Sequence, residues 1–578
     1  MKHFIILGIF AGCCLTISAQ RAATDTTIAR NIEVVKEYNP VIQEAGKINT
    51  MPELKDIEAK RIQTNYAVRT TPFSLKSDVI PSLDYATVAP LPFPSYKDGM
   101  IKVGGGNYTS FLGELYTPLY KDSQYLIDFY LKHNSSFGDV KLTPELYPSL
   151  TEPVSTQALT NDNKARLSFL RNVRNKELMA SVGGGYNRFD YYGYSSRMGR
   201  SDPDDPKQAF TNFDANLRYR SKEYISKWKY DLQTNYQLFQ NRNKLSEHTI
   251  YTNVMGDYRM EGSSLGAKLE MYNMFLNKPE NIFIPSYRSE RTDNLKDYTV
   301  IKLNPYYTFE GQGATMVIGI KGAFSIGQGR PGTISPDIYG NVKVIDQKLY
   351  IYAGVTGDLT VNNYRYVTQL NPYISPDVRI EDTYTPIDIY AGTKIKFFNK
   401  VNADFFLGYK IINNPYFFVN KESCIGAYNM FDVVYDKDAG LFNAGLTLLY
   451  NWQDKLNFTF KSKYNAWSLS DVEKPWQMPA WELDFQTSYC VTDYLRLNLA
   501  YRLEAGRYAR PNGFFGPVIS GNTPMKNIND LSLGANYKLL SFMNIFLNLN
   551  NLLNQEYANW YGYTVHRFNV MGGVSVSF

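Results

Sequence analysis

Cysteine and histidine are scarce in this chain, four of each among 578 residues. Cys13 and Cys14 fall in the N-terminal leader. The remaining two, Cys424 and Cys490, do not make a disulfide framework for an exported protein of this size. Both are expected as free thiols, Cys424 in a loop and Cys490 beside a short turn. With so few histidines and no His-Glu-x-x-His spacing, neither a metal nor a cofactor is expected. Long apolar runs are also missing: beyond the leader no stretch of about eighteen apolar residues exists to make a membrane helix. Excess charge of one sign is small, +6 over the whole length, and spread out, so nucleic acid is not an expected partner. Gly104-Gly105-Gly106 and Gly183-Gly184-Gly185 lack the following Lys-Ser/Thr of a phosphate loop. They read instead as bends or close backbone approaches within strands. Asp202-Pro203-Asp204-Asp205-Pro206 has neither the glycine nor the distal glutamate of a calcium loop and reads as a solvated loop.

What the chain has is tyrosine and alternation. Aromatics make up 15% of the residues and tyrosine alone accounts for 47. Tyr125, Ile127, Phe129, Leu131 and His133 alternate with Leu126, Asp128, Tyr130 and Lys132. Val401, Ala403, Phe405, Leu407, Tyr409 and Ile411 alternate with Asn402, Asp404, Phe406, Gly408 and Lys410. The same period of two recurs at 456–464, 481–489 and 495–504, and it predicts strands with one apolar face. Short turns such as Arg174-Asn175-Lys176, Glu261-Gly262-Ser263 and Thr492-Asp493 alternate with long connections near 138–163, 194–208, 279–296, 362–383, 413–427, 467–480, 508–527 and 555–564. Loops sorted by length in this way are the threading of an outer-membrane barrel, with short periplasmic turns and long external loops. The reading is all-β: a large transmembrane antiparallel β-barrel over 77–578, of about 22 strands if Ser77 to Pro90 is the first.

The two ends fit the same compartment. Lys2 and His3 precede an apolar run from Phe4 to Phe10, and Ile17-Ser18-Ala19 before Gln20 offers a cleavage site, which predicts a signal peptide over 1–19. Ala11-Gly12-Cys13 also resembles the end of a lipobox, with Phe10 where leucine is usual. Residues 20–76 are rich in charge and lack the period of two. They read as a short periplasmic extension or minimal plug, with too few residues for much core. At the other end, Phe568, Val570, Gly572, Val574, Val576 and Phe578 share one side of a strand. Asn569, Met571, Gly573, Ser575 and Ser577 share the other. A last strand whose apolar side meets lipid closes a barrel.

Asn551-Leu552-Leu553-Asn554-Gln555-Glu556-Tyr557 resembles the Asn-Leu-Phe-Asp-Lys-Glu-Tyr motif that precedes the last strand of TonB-dependent receptors. Tyr561-Gly562-Tyr563 and His566-Arg567 resemble that family's lead into the closing strand. Gly573, Val576 and Phe578 match an outer-membrane assembly signal, and the strands rich in tyrosine and asparagine resemble proteins of Bacteroidota. The resemblance implies solute transport or a surface-receptor role. It also implies insertion by the barrel assembly machinery and contact with outer-membrane lipid and lipopolysaccharide. The family's plug of roughly 130–150 residues is not matched by 20–76. Ile32-Glu33-Val34-Val35 resembles a TonB box, which would pair as an added strand with TonB or another periplasmic partner. The alternative is a barrel that transports nothing and serves as a structural or assembly platform.

Candidate chemistry is sparse, and no enzymatic activity is expected. Trp476, Trp481, Phe514, Phe515, Trp560, Tyr561 and Tyr563 crowd the late loops and strand ends. They read as interfacial girdle residues, or as a stacking surface for a sugar or other ring-bearing ligand. Arg496, Arg502, Glu504, Lys461 and Lys463 are placed on the lumen side. His133 and Ser135 share one strand face, the spacing of a base and a nucleophile, as in outer-membrane lipid hydrolases. No orienting partner for His133 is evident from the sequence.

Overall fold

Side-chain alternation decides this architecture. Along the strand Ser263–Asn277, Leu265, Leu269 and Phe275 stand exposed while Ser264 and Met274 are buried. Along Ala314–Ile326, Met316, Ile318, Ile320, Phe324 and Ile326 are exposed and Ala323 is buried. The same outward apolar row recurs from strand to strand. A continuous band of this kind is the lipid-facing surface of a membrane barrel and would be an aggregation hazard in water. The computed structural model describes residues 99–578 except 145–151, 193–206, 226, 278–282, 285–286, 289–295, 312, 377, 398–399, 422–428, 454 and 512–521. The leader, the extension over 20–76 with Ile32, Glu33, Val34 and Val35, the stretch from Ser77 to Pro90, Cys424, Phe514, Phe515 and the Asp202–Pro206 run lie outside the described residues.

Twenty-two strands form one antiparallel sheet in which each barrel strand pairs with the next. The first, Met100–Gly106, pairs with Ser110–Lys121 on one side and with the last, Asn569–Ser577, on the other, so the sheet closes. Closure pairs every backbone donor and acceptor within the hydrocarbon and leaves no edge strand. The count of 22 is reached from Met100, not from Ser77. That is a correction to the sequence reading, because Met100–Gly106 pairs directly with the closing strand. The short turns at 122–124, 174–175, 261–262 and 346–348 all lie at one end of the barrel, those at 174–175 and 261–262 where the sequence predicts them. The long connections lie at the other, joined there by three short ones at 107–109, 242–245 and 327–332.

The seam is built from glycine. Gly104 pairs with Gly573 and Gly105 with Gly572. A Cβ on Gly573 would lie 2.1 Å from the Val103 carbonyl oxygen and 2.7 Å from the ring of Phe546. That ring, nearly inaccessible to solvent, occupies the lumen-side space the two glycines leave, and Lys102 Nζ sits 4.5 Å from its centroid. At the chain's end Gly99 and Phe578 exchange backbone hydrogen bonds of 3.0 Å, and the Phe578 ring covers Gly99. Inside the barrel, charge is paired rather than free at many positions. Lys410 meets Asp388 at 2.9 Å, Lys321 meets Asp337 at 2.9 Å, Lys132 meets Glu114 at 3.4 Å, and Arg502 meets Glu504.

Candidate functional site

The long loops do not stand free. Phe189, Phe210 and Phe239 project inward from the tops of three neighbouring strands and are buried. Onto them pack residues from loops that belong to the other half of the barrel: Val367, Leu370 and Ile374 from 361–382, Phe418 and Phe431 from 414–437, and Trp560 and Tyr563 from 551–568. The ring of Tyr373 stacks on Tyr563 at 3.4 Å and meets Phe189 edge-on at 5.5 Å. Ile374 forms a parallel bridge with Phe431, sealed by Ser375 N–H to the Phe431 carbonyl at 2.8 Å. One hydrophobic core thus joins loops from across the outer mouth, and they form a folded cap.

Polar contacts fix the cap to the strands. The helix Tyr364–Leu370 is capped by Asn363, whose side chain accepts from Tyr366 N–H at 2.8 Å. Glu247, at the start of a barrel strand, accepts from Tyr364 N–H at 2.8 Å, and Arg365 pairs with Asp214 at 2.7 Å. Arg507 is buried and donates to the carbonyls of Asn559 at 3.0 Å and Ala558 at 2.9 Å. Burial pulls its guanidinium down to about 10, with Glu504 acting in the opposite direction. Asp436 accepts from the amides of Ser470, Asp471 and Val472 and from the Ser470 hydroxyl at 2.7 Å. Burial alone would raise the Asp436 pKa, but these bonds outweigh it and hold the carboxyl below its ordinary range. Asp382 is the reverse case. Burial pushes it up to about 6, although it accepts from Asn362 N–H at 3.1 Å and from the Tyr298 hydroxyl at 3.3 Å.

Beneath the cap lies a cavity of about 790 Å³. Tyr192, Tyr373, Trp560 and Tyr563 contribute to its aromatic side, and asparagines dominate the rest. Asn544, Asn548 and Asn550 alternate along Met543–Asn550, and Asn536 and Asn569 face the same space from the flanking strands. Asn536 Nδ2 and Asn548 Oδ1 are buried without a hydrogen-bond partner in the protein. The charged residues of the lining are largely paired: Lys132 with Glu114, Lys164 with Asp162 at 3.0 Å, and Arg567 with Glu556.

The residues singled out from sequence are distributed as follows. Trp560 lines the cavity and meets Phe418 edge-on at 5.0 Å. Trp476 is buried against Phe417 and Val419, under the guanidinium of Arg510 at 5.4 Å. Tyr561 and Tyr563 are buried in the cap, whereas Trp481 stands 49% exposed on the outer face, as a girdle residue does. Cys490 Sγ accepts from Arg496 Nε at 3.2 Å. Val576 faces outward beside Phe578, while Gly573 faces the lumen at the seam. The sequence missed the asparagine wall, although Asn544-x-x-x-Asn548-x-Asn550 on one strand face was there to be read.

Register also supplies the partner that His133 lacked. The strand Thr160–Val173 lies beside Tyr125–Ser136 and places Asn163 opposite His133. Asn163 Oδ1 is 2.7 Å from His133 Nδ1, and His133 Nε2 is 3.1 Å from Ser135 Oγ.

No protein-family model matches the chain, and no curated protein matches it. Solved structures do. The siderophore receptor PirA from Acinetobacter baumannii aligns with a TM-score of 0.63 at 12% identity, over 84% of this chain and 81% of that one. The copper transporter OprC aligns at 0.60 and 13% identity, over 85% and 84%. The ferric-catecholate import receptor Fiu from K12 E. coli aligns at 0.57 and 10% identity, over 84% and 82%. By name these neighbours are two receptors and a transporter. At such identities the likeness establishes the fold, and the fold implies the outer membrane.

Proposed function

We propose that this chain is an outer-membrane receptor or transporter whose ligand is an uncharged, hydrogen-bonding solute of sugar-like chemistry. The observation that carries the reading is the amide-lined chamber under the cap. Its volume suits a ligand of a few sugar rings, since such sites run roughly 300–1,000 Å³. Asparagine offers both donor and acceptor and selects for hydroxyls rather than for net charge. Trp560 and Tyr563 supply ring faces at the chamber's apolar side. Pairing of Lys132, Lys164 and Arg567 with carboxylates argues against an anionic chelate as the ligand.

Several partners belong to the same proposal. Ile32-Glu33-Val34-Val35 would couple the barrel to TonB by strand addition. Gly573, Val576 and Phe578 would present the closing strand to the assembly machinery, and the apolar belt would meet lipid and lipopolysaccharide. Extension 20–76 would act as a minimal plug in the lumen. The cap also favours a second reading, because a folded outer surface suits a platform for a surface partner.

The test is a titration of the purified full chain with a panel of neutral oligosaccharides and with ferric catecholates, read by calorimetry. Binding of a neutral oligosaccharide, weakened about tenfold or more by Asn548→Leu, is expected, one lost hydrogen-bonding residue being worth about that much. Binding of the chelates alone would sink the neutral-ligand reading.

A further inference from the structure

The barrel wall carries a second arrangement, distinct from the asparagine-lined surface of the chamber. In the strand Tyr125–Ser136, Lys132 and Asn134 face the cavity, while His133 and Ser135 lie on the side of Leu131, which is 43% exposed; Ser135 itself is 4% exposed and also borders the cavity. Asn163, on the next strand, lies on the same face. Its orientation is fixed, because its Nδ2 donates to Asn161 Oδ1 at 2.6 Å and to the Tyr186 carbonyl at 3.3 Å. The amide oxygen therefore points at His133, and only an Nδ1–H of the imidazole satisfies that 2.7 Å contact. This tautomer leaves the Nε2 lone pair to accept from the Ser135 hydroxyl, 3.1 Å away. A nucleophile, a base and a group that orients the base stand in line, which is the constellation of acyl-transfer catalysis.

The surroundings say what would be acylated. The strand runs from a short turn at 122–124 to the long loop 137–159, so Ser135 lies at the outer end of the wall. Lipid esters sit between hydrocarbon and headgroups, toward the ends of a membrane-spanning wall. Phe111 and Tyr186, 48% and 45% exposed, flank the three residues on the lipid side. Gly113 pairs with His133 and sets no side chain beside the imidazole; an added Cβ there would touch the Phe111 ring at 3.6 Å, which itself lies 5.5 Å from the imidazole.

We propose that Ser135, His133 and Asn163 form a lipid-facing Ser-His-Asn site that hydrolyses long-chain acyl esters of the outer leaflet, with Gly113 forming the slot for the scissile ester. Ser135 Oγ attacks the ester carbonyl carbon as His133 Nε2 takes its proton. The carbon–oxygen bond to the lipid alcohol breaks, and His133 returns the proton to that alcohol. Water then attacks the acyl-Ser135 ester through the same base, and one fatty acid leaves. Ser135 and His133 are the catalytic residues, and Asn163 is a positioning residue.

The test uses the refolded full chain in mixed micelles, with folding checked by heat-modifiable gel migration. An alkyl fluorophosphonate probe reports Ser135, and released fatty acid is measured from phosphatidylethanolamine in one arm and lipopolysaccharide in the other. Labelling that is lost in Ser135→Ala is expected, with release in one arm that identifies the lipid. His133→Ala should cost roughly 10²–10⁴-fold in rate. Gly113→Val should fold normally and release fatty acid more slowly. Asn163→Leu should lower kcat. Asn163→Asp should restore much of it and move the acidic limb of the pH profile upward, since a carboxylate favours imidazolium. A folded wild type that is labelled no more than Ser135→Ala overturns the assignment, and so does labelling without release in either arm.

Discussion

Two buried carboxyls in the cap respond to pH in opposite directions. Asp436 is held below its ordinary range, so its contribution is present at neutral pH and disappears as pH falls through its folded value. Asp436→Ala would leave the amides of Ser470, Asp471 and Val472 without their acceptor. It should loosen 469–480 by about 2–3 kcal/mol, seen as faster proteolysis within that loop and nowhere else. Asp382 is pushed up to about 6, so the folded loop keeps a proton that the unfolded chain has released. Its stabilising effect is complete below about pH 4, the ordinary carboxylate value, and declines until the folded pKa is passed. Hydrogen exchange of 361–382, corrected for intrinsic rates, should show protection falling from pH 4 to 7, and Asp382→Asn should flatten that profile. Flat protection in the wild type would refute the assignment. Neither carboxyl was legible in the sequence, because their partners are distant in the chain: Asp436 is held by another loop, and Asp382 by Asn362 at the far end of its own loop and by Tyr298 on a barrel strand. The same holds for Asn163. His133-x-Ser135 could be read from spacing on one strand, but its partner is set by the register between two strands separated by a long loop.

Strands were the legible elements, because a period of two is a local property that a lipid-facing barrel imposes on every pass. The first strand was misplaced, since Ser77 to Pro90 also alternates while Met100–Gly106 is glycine-rich and carries little pattern. Glycine there is used for closeness. Elsewhere in the lumen, rings cover glycines on neighbouring strands: Tyr306 lies over Gly266, Tyr390 over Gly354 and Tyr352 over Gly392. These three tyrosines fill such gaps, packing that a strand with no side chain would otherwise lack. The seam permits a sharp test. Gly573→Val would place a Cβ against the Val103 carbonyl and the Gly104 Cα, which are backbone atoms that cannot turn aside. That variant should fail to reach the heat-modifiable folded form. Gly256→Ala, where an added Cβ meets nothing within 4 Å, should fold as the wild type does. The helix Tyr364–Leu370 was not legible: it is 7 residues long, and strand residues Glu247 and Asp214 hold it in place.

At the scale of the molecule, the barrel wall and the cap make opposite demands. A wall of this strand number encloses space, and the loop core then closes the outer end of it. Transport requires that the cap open or rearrange, whereas a platform requires that it persist. The strands on either side of 361–382 pair at Thr360 and Thr383, so a two-residue Asn-Gly turn can replace that loop at the existing register. The replacement removes Val367, Leu370, Tyr373 and Ile374 from the cap core at one stroke. In planar bilayers the full chain should conduct little and the loop replacement should conduct well, if the cap is the barrier. Deletion of 20–76 provides the second arm. Conductance that appears only when both segments are removed would give the lumen two gates in series, as a transporter coupled from the periplasmic side needs. A barrel that stays closed in all three variants has a lumen filled by its own wall residues. In that case the folded outer surface, rather than the space beneath it, would be what the protein presents to the cell's exterior.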